Sequence, residues 1–169
     1  DFYKTPCYFV MKSPANSYFE TGLIAHQRGD LAAAAKLYLA SLYIYPCHAD
    51  SYHNLGVLYL QLGKGHQALT FLKRAPLLNA REAQYWISYI EALVRLGQLP
   101  KAKYVFERGI KAGMEKSAVK KLSLRLKAAH EQQRQIIDLL DLYKKGLFTE
   151  VVKNTASLIK GWEENPRIL

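Results

Sequence analysis

The chain has 169 residues, half of them hydrophobic, and a formal net charge of +10 from 24 Lys and Arg against 14 Asp and Glu. That balance excludes an intrinsically disordered chain, and two cysteines, Cys7 and Cys47, exclude a disulfide-dense scaffold and a four-cysteine zinc site. No apolar run reaches the roughly 18 to 20 residues of a membrane-spanning helix, and residues 1–10 lack the basic-then-apolar order of a signal peptide. A soluble cytoplasmic protein without membrane insertion is expected.

In chain order, residues 1–14 read as an extension. Either Met11 begins the natural chain after ten added residues, or residues 1–16 lie ordered along a groove. Residues 17–28 then place apolar side chains at three- and four-residue steps and stop at Gly29, a residue that tolerates positive φ beyond a helix end. A second helix is predicted over 31–45, with Leu37, Tyr38, Ser41, Leu42 and Tyr45, and Pro46 as its stop signal. The pattern restarts over 49–62, where Tyr52, Leu55, Tyr59 and Leu62 share a face. Asp50 and Ser51 stand near that helix start, where short polar side chains cap free amides.

The elements recur at a fixed period. Gly29, Gly63 and Gly97 are 34 residues apart, and Ala34, Ala68 and Ala102 keep the same spacing. Tyr18, Tyr52 and Trp86 form a third column, Tyr38, Leu72 and Phe106 a fourth, and Gly22 and Gly56 a fifth. A period of this length with two helical stretches per unit marks stacked helical hairpins. Small residues are expected where the two helices of a hairpin cross, pairing Gly22 with Ala34 and Gly56 with Ala68. In the third unit Ile90 stands in the glycine column, and Gly109 is expected to relieve the crowding.

Past residue 113 the register changes. Residues 114–131 are predicted as a basic connecting helix, with Val119, Leu122, Leu126 and Ala129 on one face and lysines on the other. Residues 132–166 read as a degenerate hairpin: a helix over 136–145, Gly146 as the turn, then Phe148 to about Trp162 and Pro166 as the stop. Gly146 to Pro166 spans 20 residues against 17 from Gly29 to Pro46, so the last helix is expected to be nearly a turn longer. Residues 167–169 look like the start of a further helix, as in a fragment of a longer protein.

These columns resemble the tetratricopeptide repeat family, whose 34-residue unit has an aromatic, Leu-Gly, Tyr, Gly, Ala, bulky, Ala and Pro order. The second unit matches best, through Tyr52, Leu55, Gly56, Tyr59, Gly63, Ala68, Leu72 and Ala75. The resemblance covers residues 15–113 and implies an all-α, right-handed α-solenoid: three regular repeats, a connecting helix and one degenerate repeat. Such arrays curve and leave a concave face lined by the first helix of each pair. On that face the register places Phe19, Leu23 and His26, then His53, Asn54, Val57 and Gln61, then Ile87, Ser88, Glu91 and Arg95. Mixed apolar and amide groups there suit an extended peptide or partner protein. The same positions can instead pack against the neighbouring hairpin.

Sharper expectations follow from the resemblance. Family members that clamp a chaperone's C-terminal carboxylate use lysines, arginines and asparagines where this chain has Phe19, Leu23, Asn54, Gln84 and Ser88. Only Asn54 matches, so a carboxylate clamp is not expected. The run from Tyr52 to Gly56 is also similar to the repeat arms of O-linked N-acetylglucosamine transferases, which gives an alternative reading. In it the chain is the substrate-recognition arm of a bacterial protein glycosyltransferase whose catalytic domain is absent. Nucleic-acid binding through the basic helix is a lesser alternative, because no aromatic side chains are interleaved with its lysines.

Catalytic chemistry is not apparent. The Gly63-Lys64-Gly65-His66 stretch lacks phosphate-loop spacing and follows a helix, so it reads as an inter-helix turn. Cys47, His48 and His53 have no second pair at zinc-ligand spacing. No catalytic residue, metal or cofactor is assigned, and the sequence does not fix an oligomeric state.

Overall fold

A computed structural model describes residues 14–163; the readings placed on residues 1–13 and 164–169, including Cys7, Met11, Pro166 and the further helix, lie outside the described residues. Among the described residues all regular structure is helical. The order is α1 (Pro14–Gln27), α2 (Leu31–Ile44), α3 (Ala49–Gln61), α4 (Gly65–Leu72), α5 (Ala75–Leu78), α6 (Ala83–Arg95), α7 (Leu99–Lys111), α8 (Lys116–Lys144) and α9 (Phe148–Glu163). The chain is an all-α array of helical hairpins. Residues up to Leu126 form one compact unit and residues from Lys127 onward a second.

In the first unit the 34-residue columns take equivalent places. Gly29, Gly63 and Gly97 have φ of 81°, 70° and 68°, and each closes the first helix of a hairpin. The closure is the same each time. The glycine N–H bonds three residues back, and the next N–H bonds five residues back, as in Asp30 to Ala25, Lys64 to Tyr59 and Gln98 to Leu93. This arrangement satisfies carbonyls that the helix end leaves free. After the first turn Asp30 accepts the Ala33 N–H at 2.9 Å, and the run Ala32 to Ala35 gives α2 strong helix formers.

The start of α3 corrects a sequence expectation. The cap is His48, whose Nδ1 accepts the Ser51 N–H at 3.1 Å; Asp50 and Ser51 lie inside the helix. Ser51 is fully buried and bonds the equally buried Ser41 hydroxyl at 2.9 Å, tying α3 to α2. A buried hydroxyl needs such a partner, and here the two side chains satisfy each other.

The hairpin crossings differ in detail from expectation. The glycines face the bulky column rather than the alanines: a Cβ on Gly22 would sit 2.9 Å from the Tyr38 ring, and one on Gly56 2.5 Å from Leu72 Cγ. Ala34 and Ala68 are fully buried, so the alanine column does pack in the core. In the third hairpin Ile90 is also fully buried, and the close approach moves to Gly109, where a Cβ would lie 3.4 Å from the Trp86 ring.

Pro76 interrupts the second helix of the second hairpin. It lacks an N–H to bond the Leu72 carbonyl, and its ring crowds that carbonyl. Lys73 and Arg74 between α4 and α5 nonetheless keep helical angles, so the element is kinked rather than ended.

The core is strung out along the unit. Tyr38 and Leu42 meet Leu55 and Leu58 between the first two hairpins, and Ala68 and Leu72 meet Ala92 between the second and third. Trp86, Ile90, Leu93 and Val105 meet Leu122 and Leu126 of α8. Each hairpin buries its apolar face on the next one, which is how a repeat array gains stability. On the expected apolar face of α8, Leu122 and Leu126 are buried and Val119 packs beside them, while Ala129 is half-buried.

The boundary expected between a connecting helix at 114–131 and a hairpin from 132 is not marked by a break. Helix α8 runs 29 residues without interruption because it contains neither glycine nor proline. In the second unit Gly146, with φ of 74°, turns the chain into α9, and the Tyr143 and Phe148 rings meet edge-on at 5.6 Å. Helix α9 (Phe148–Glu163) runs to the last of the described residues, so the expectation on its length lies outside them.

Candidate peptide-binding groove

The first helices of the three hairpins lie side by side, α1 against α3 and α3 against α6. The sequence-predicted groove residues fall along these contacts, and four of them pair with one another, His26 with Gln61 and His53 with Ser88. His26 on α1 is half-buried. Its Nε2 lies 2.8 Å from Gln61 Oε1 on α3, and its Nδ1 lies 3.2 Å from the Tyr38 hydroxyl on α2. Because Gln61 Oε1 can only accept, Nε2 carries the proton and Nδ1 accepts from Tyr38. Burial pushes the Tyr38 hydroxyl up to about 12, which keeps it a donor.

One hairpin along, His53 Nε2 lies 2.9 Å from the Ser88 hydroxyl on α6, and the Gln84 amide donates to the same hydroxyl at 3.2 Å. The His53 ring packs on Tyr85 with centroids 5.1 Å apart. Tyr85 in turn donates its hydroxyl to the Asp50 carboxylate of α3. Burial first, then this bond, raises the Tyr85 hydroxyl above its ordinary value. Burial holds His53 below the ordinary 6.5, although Asp50 and Glu82 pull the other way. At the next step Glu91 on α6 pairs with Arg125 on α8 at 2.8 Å.

These bonds form a ladder across successive first helices. His26 to Gln61, Asp50 to Tyr85 and His53 to Ser88 each span 35 residues, and Glu91 to Arg125 spans 34. One repeat length, with or without one further residue, is the spacing at which polar side chains on adjacent first helices meet. Asp50, Tyr85 and Arg125 were missed as members of this face, and Gln84 was considered only as a clamp position. Their signal was available, since each stands one repeat from a polar residue already singled out or from another of the four.

The remaining predicted residues are placed less uniformly. Phe19 packs inward on Tyr38 and His48, at 5.8 and 5.0 Å between ring centroids. Leu23 is half-buried; Val57 packs beside the Ala68 and Leu72 cluster, and Ile87 beside the Trp86 cluster. Asn54 is half-buried, and its amide nitrogen donates to the Asp50 carbonyl of its own helix at 2.9 Å, which leaves its amide oxygen for another donor. Arg95 is exposed and has no ion pair among the described residues. The face therefore offers amide, imidazole and guanidinium groups between apolar strips. Such a surface can hydrogen-bond an extended main chain and pack its side chains.

Among the described residues, no three His, Cys, Asp or Glu side chains gather in a way that would hold a metal ion. No described helix is long and apolar enough to cross a membrane.

Residues 37–70 match the family model described as tetratricopeptide repeat. The Protein CTR9 homolog of Arabidopsis thaliana is 31% identical over 77 residues, which is 46% of this chain and 7% of that protein. Among solved structures, the P58(IPK) TPR domain aligns over 88% of this chain and 41% of its own, with a TM-score of 0.68 and 21% identity. The second TPR domain of human RPAP3, in complex with the HSP70 peptide SGPTIEEVD, aligns over 67% of this chain and 94% of its own, with a TM-score of 0.58 and 25% identity. The chain thus spans a small part of its curated relative and under half of the first of these structures. The 34-residue columns, the recurring glycine closures and these matches agree: residues 37–70 match a tetratricopeptide repeat, and the chain shares the fold of solved TPR domains.

Proposed function

We propose that the unit ending at Leu126 is a protein-interaction scaffold that holds an extended peptide, or a segment of a partner protein, along α1, α3 and α6. The observation that carries this reading is the ladder His26–Gln61, His53–Ser88 and Glu91–Arg125. It fixes three first helices and α8 side by side and aligns their polar groups on one face. A rigid, pre-aligned row of donors and acceptors lowers the ordering cost of binding a flexible chain. The peptide complex of the human RPAP3 domain supports a peptide as the occupant of this fold.

The mode of capture differs from a carboxylate clamp. Phe19 is committed to Tyr38 and His48, Ser88 to His53 and Gln84, and neither Leu23 nor Gln84 supplies a cation. Recognition instead rests on amide hydrogen bonds from Asn54 and Gln61, the Arg95 charge and apolar contact with Leu23 and Val57. The test is selection of linear peptides from a display library on the full chain. Asn54→Ala with Arg95→Ala should then weaken the selected peptides by about tenfold, the loss of one or two hydrogen bonds. Far-UV circular dichroism should be unchanged, since neither side chain bridges two helices. Selected peptides that bind the double variant undiminished would overturn the assigned face.

A further inference from the structure

Among the described residues from Lys127 to Ala156 none is buried, although α8 and α9 carry large hydrophobic side chains there. The turn between the two helices repeats the closure of the first-unit hairpins: the Gly146 N–H bonds the Tyr143 carbonyl, and the Leu147 N–H bonds that of Leu142. It folds α9 back along α8 as an antiparallel pair. Half-buried Leu139, Leu142 and Val151 mark the sides that the two helices turn to each other.

The exposed apolar residues follow these by one position: Leu140 after Leu139, Tyr143 after Leu142, Val152 after Val151. One position is about 100° of rotation around a helix. In two antiparallel right-handed helices, the same rotation away from their mutual contact brings both stripes out on one side of the pair. Ile136 on α8 and Phe148 and Ile159 on α9 belong to the same stripes, and the edge-on contact of Tyr143 with Phe148 joins them at the turn. The three- and four-residue step that carries Val119, Leu122 and Leu126 into the core of the first unit runs on through Ala129 and Gln133 to Ile136, Leu140 and Tyr143. Such a stripe is the seam of a helix that packs on other helices. A helix pair with one apolar side needs a second layer to cover it.

We propose that this layer is the same hairpin of a second copy of the chain, the two pairs closing face to face into a four-helix bundle. Extent and charge both favour that occupant. A large apolar side chain has on the order of 200 Å² to lose, so these six, 47–70% exposed, offer roughly 700 Å² per chain, close to the about 800 Å² that each partner of a stable complex buries. Residues 1–126 hold 17 Lys and Arg against 8 Asp and Glu, a net +9, whereas residues 127–169 hold 7 against 6, a net +1. Two copies therefore meet with least repulsion through their second units, while an acidic partner would be drawn to the first. A two-fold axis through the face sets apolar stripe on apolar stripe, as an isologous interface requires. The groove along α1, α3 and α6 takes no part, so either reading can fail without the other.

The test is analytical ultracentrifugation of the full chain across the micromolar range, where a reversible monomer–dimer equilibrium is expected. Leu140→Glu with Val152→Glu should weaken it by about a hundredfold, because two charges would enter the apolar layer. Leu140→Met with Val152→Leu should keep it. Both side chains are more than half exposed, so circular dichroism of the glutamate variant should match that of the parent monomer. Tyr43→Glu, at an exposed position of α2, should leave the dimer unchanged. Molar sodium chloride should preserve or tighten it by screening the basic first units. Hydrogen exchange followed over the same dilution needs no substitution: protection should rise with association at residues 133–145 and 148–156 and stay level in α1 to α4. A chain that stays monomeric, a dimer that survives both glutamates, one dispersed by Tyr43→Glu or by salt, or protection gained in α1 to α4 instead overturns the proposal.

Discussion

Arg125 on α8 reaches back one repeat to pair with Glu91 on α6 at 2.8 Å. Together with Leu122 and Leu126 in the Trp86 and Ile90 cluster, this makes the first three turns of α8 the fourth helix of the ladder rather than a mere connector. The pair is about a third exposed, so water and salt screen it and its worth is near the top of the surface range. A double-mutant cycle on Glu91→Ala and Arg125→Ala, read by urea unfolding, should give a coupling of about 0.5–1 kcal/mol. The coupling should shrink in molar salt. Zero coupling at low salt would show that α8 is held by its leucines alone.

Much of this array was legible before any coordinates. The 34-residue columns placed Gly29, Gly63 and Gly97 at three turns whose backbone requires positive φ, and periodicity alone located Leu122 and Leu126 as the buried stripe of α8. What the sequence hid has three physical sources. The cap at α3 is a histidine, whose imidazole serves as acceptor only when its tautomer and burial allow, so Asp50 and Ser51 were the stronger local signal. The continuity of α8 was masked by the change of repeat register past residue 113, although nothing within the helix breaks it. Three of the four ladder pairs lie one residue out of register with the repeat, so columns of identical side chains do not reveal them; only polar residues on facing helices do.

Two glycines separate strain in the backbone from lack of space. At Gly63, with φ of 70°, a Cβ would meet nothing within 4 Å, so Gly63→Ala costs only its left-handed conformation, about 1 kcal/mol. Gly63→Asn should cost less than Gly63→Val, because asparagine tolerates that region and a β-branched side chain does not. At Gly56 the helix itself would gain about 1 kcal/mol from alanine. The added methyl, however, meets Leu72 Cγ at 2.5 Å and the Leu72 backbone nitrogen at 3.1 Å. Overpacking of about 1–3 kcal/mol outweighs that gain, and Gly56→Ala should be destabilising. Urea unfolding of the four variants decides it; a stabilised Gly56→Ala would mean that α3 and α4 can separate freely.

Acid should loosen the first unit through two histidines, His48 at the cap of α3 and His53 in the ladder. Burial holds both His48 and His53 below the ordinary 6.5, with Asp50 opposing in each case and Glu82 also opposing at His53. The unfolded chain then takes up protons at a higher pH than the folded one, so stability falls as pH falls. The contribution is complete above about pH 6.5 and is lost as pH drops from there through the depressed folded values. At His48 the mechanism is specific: Nδ1 accepts the Ser51 N–H at 3.1 Å while Nε2 faces Asn16 Oδ1 at 3.1 Å. A proton on Nδ1 would confront a donor and remove the cap of α3. His48→Asn keeps a capping acceptor without the titration. Unfolding free energies measured between about pH 7.5 and pH 5 should therefore fall in the parent chain and fall less in His48→Asn, and least in the variant that also carries His53→Gln. Parallel curves for all three would place the acid sensitivity elsewhere in the chain.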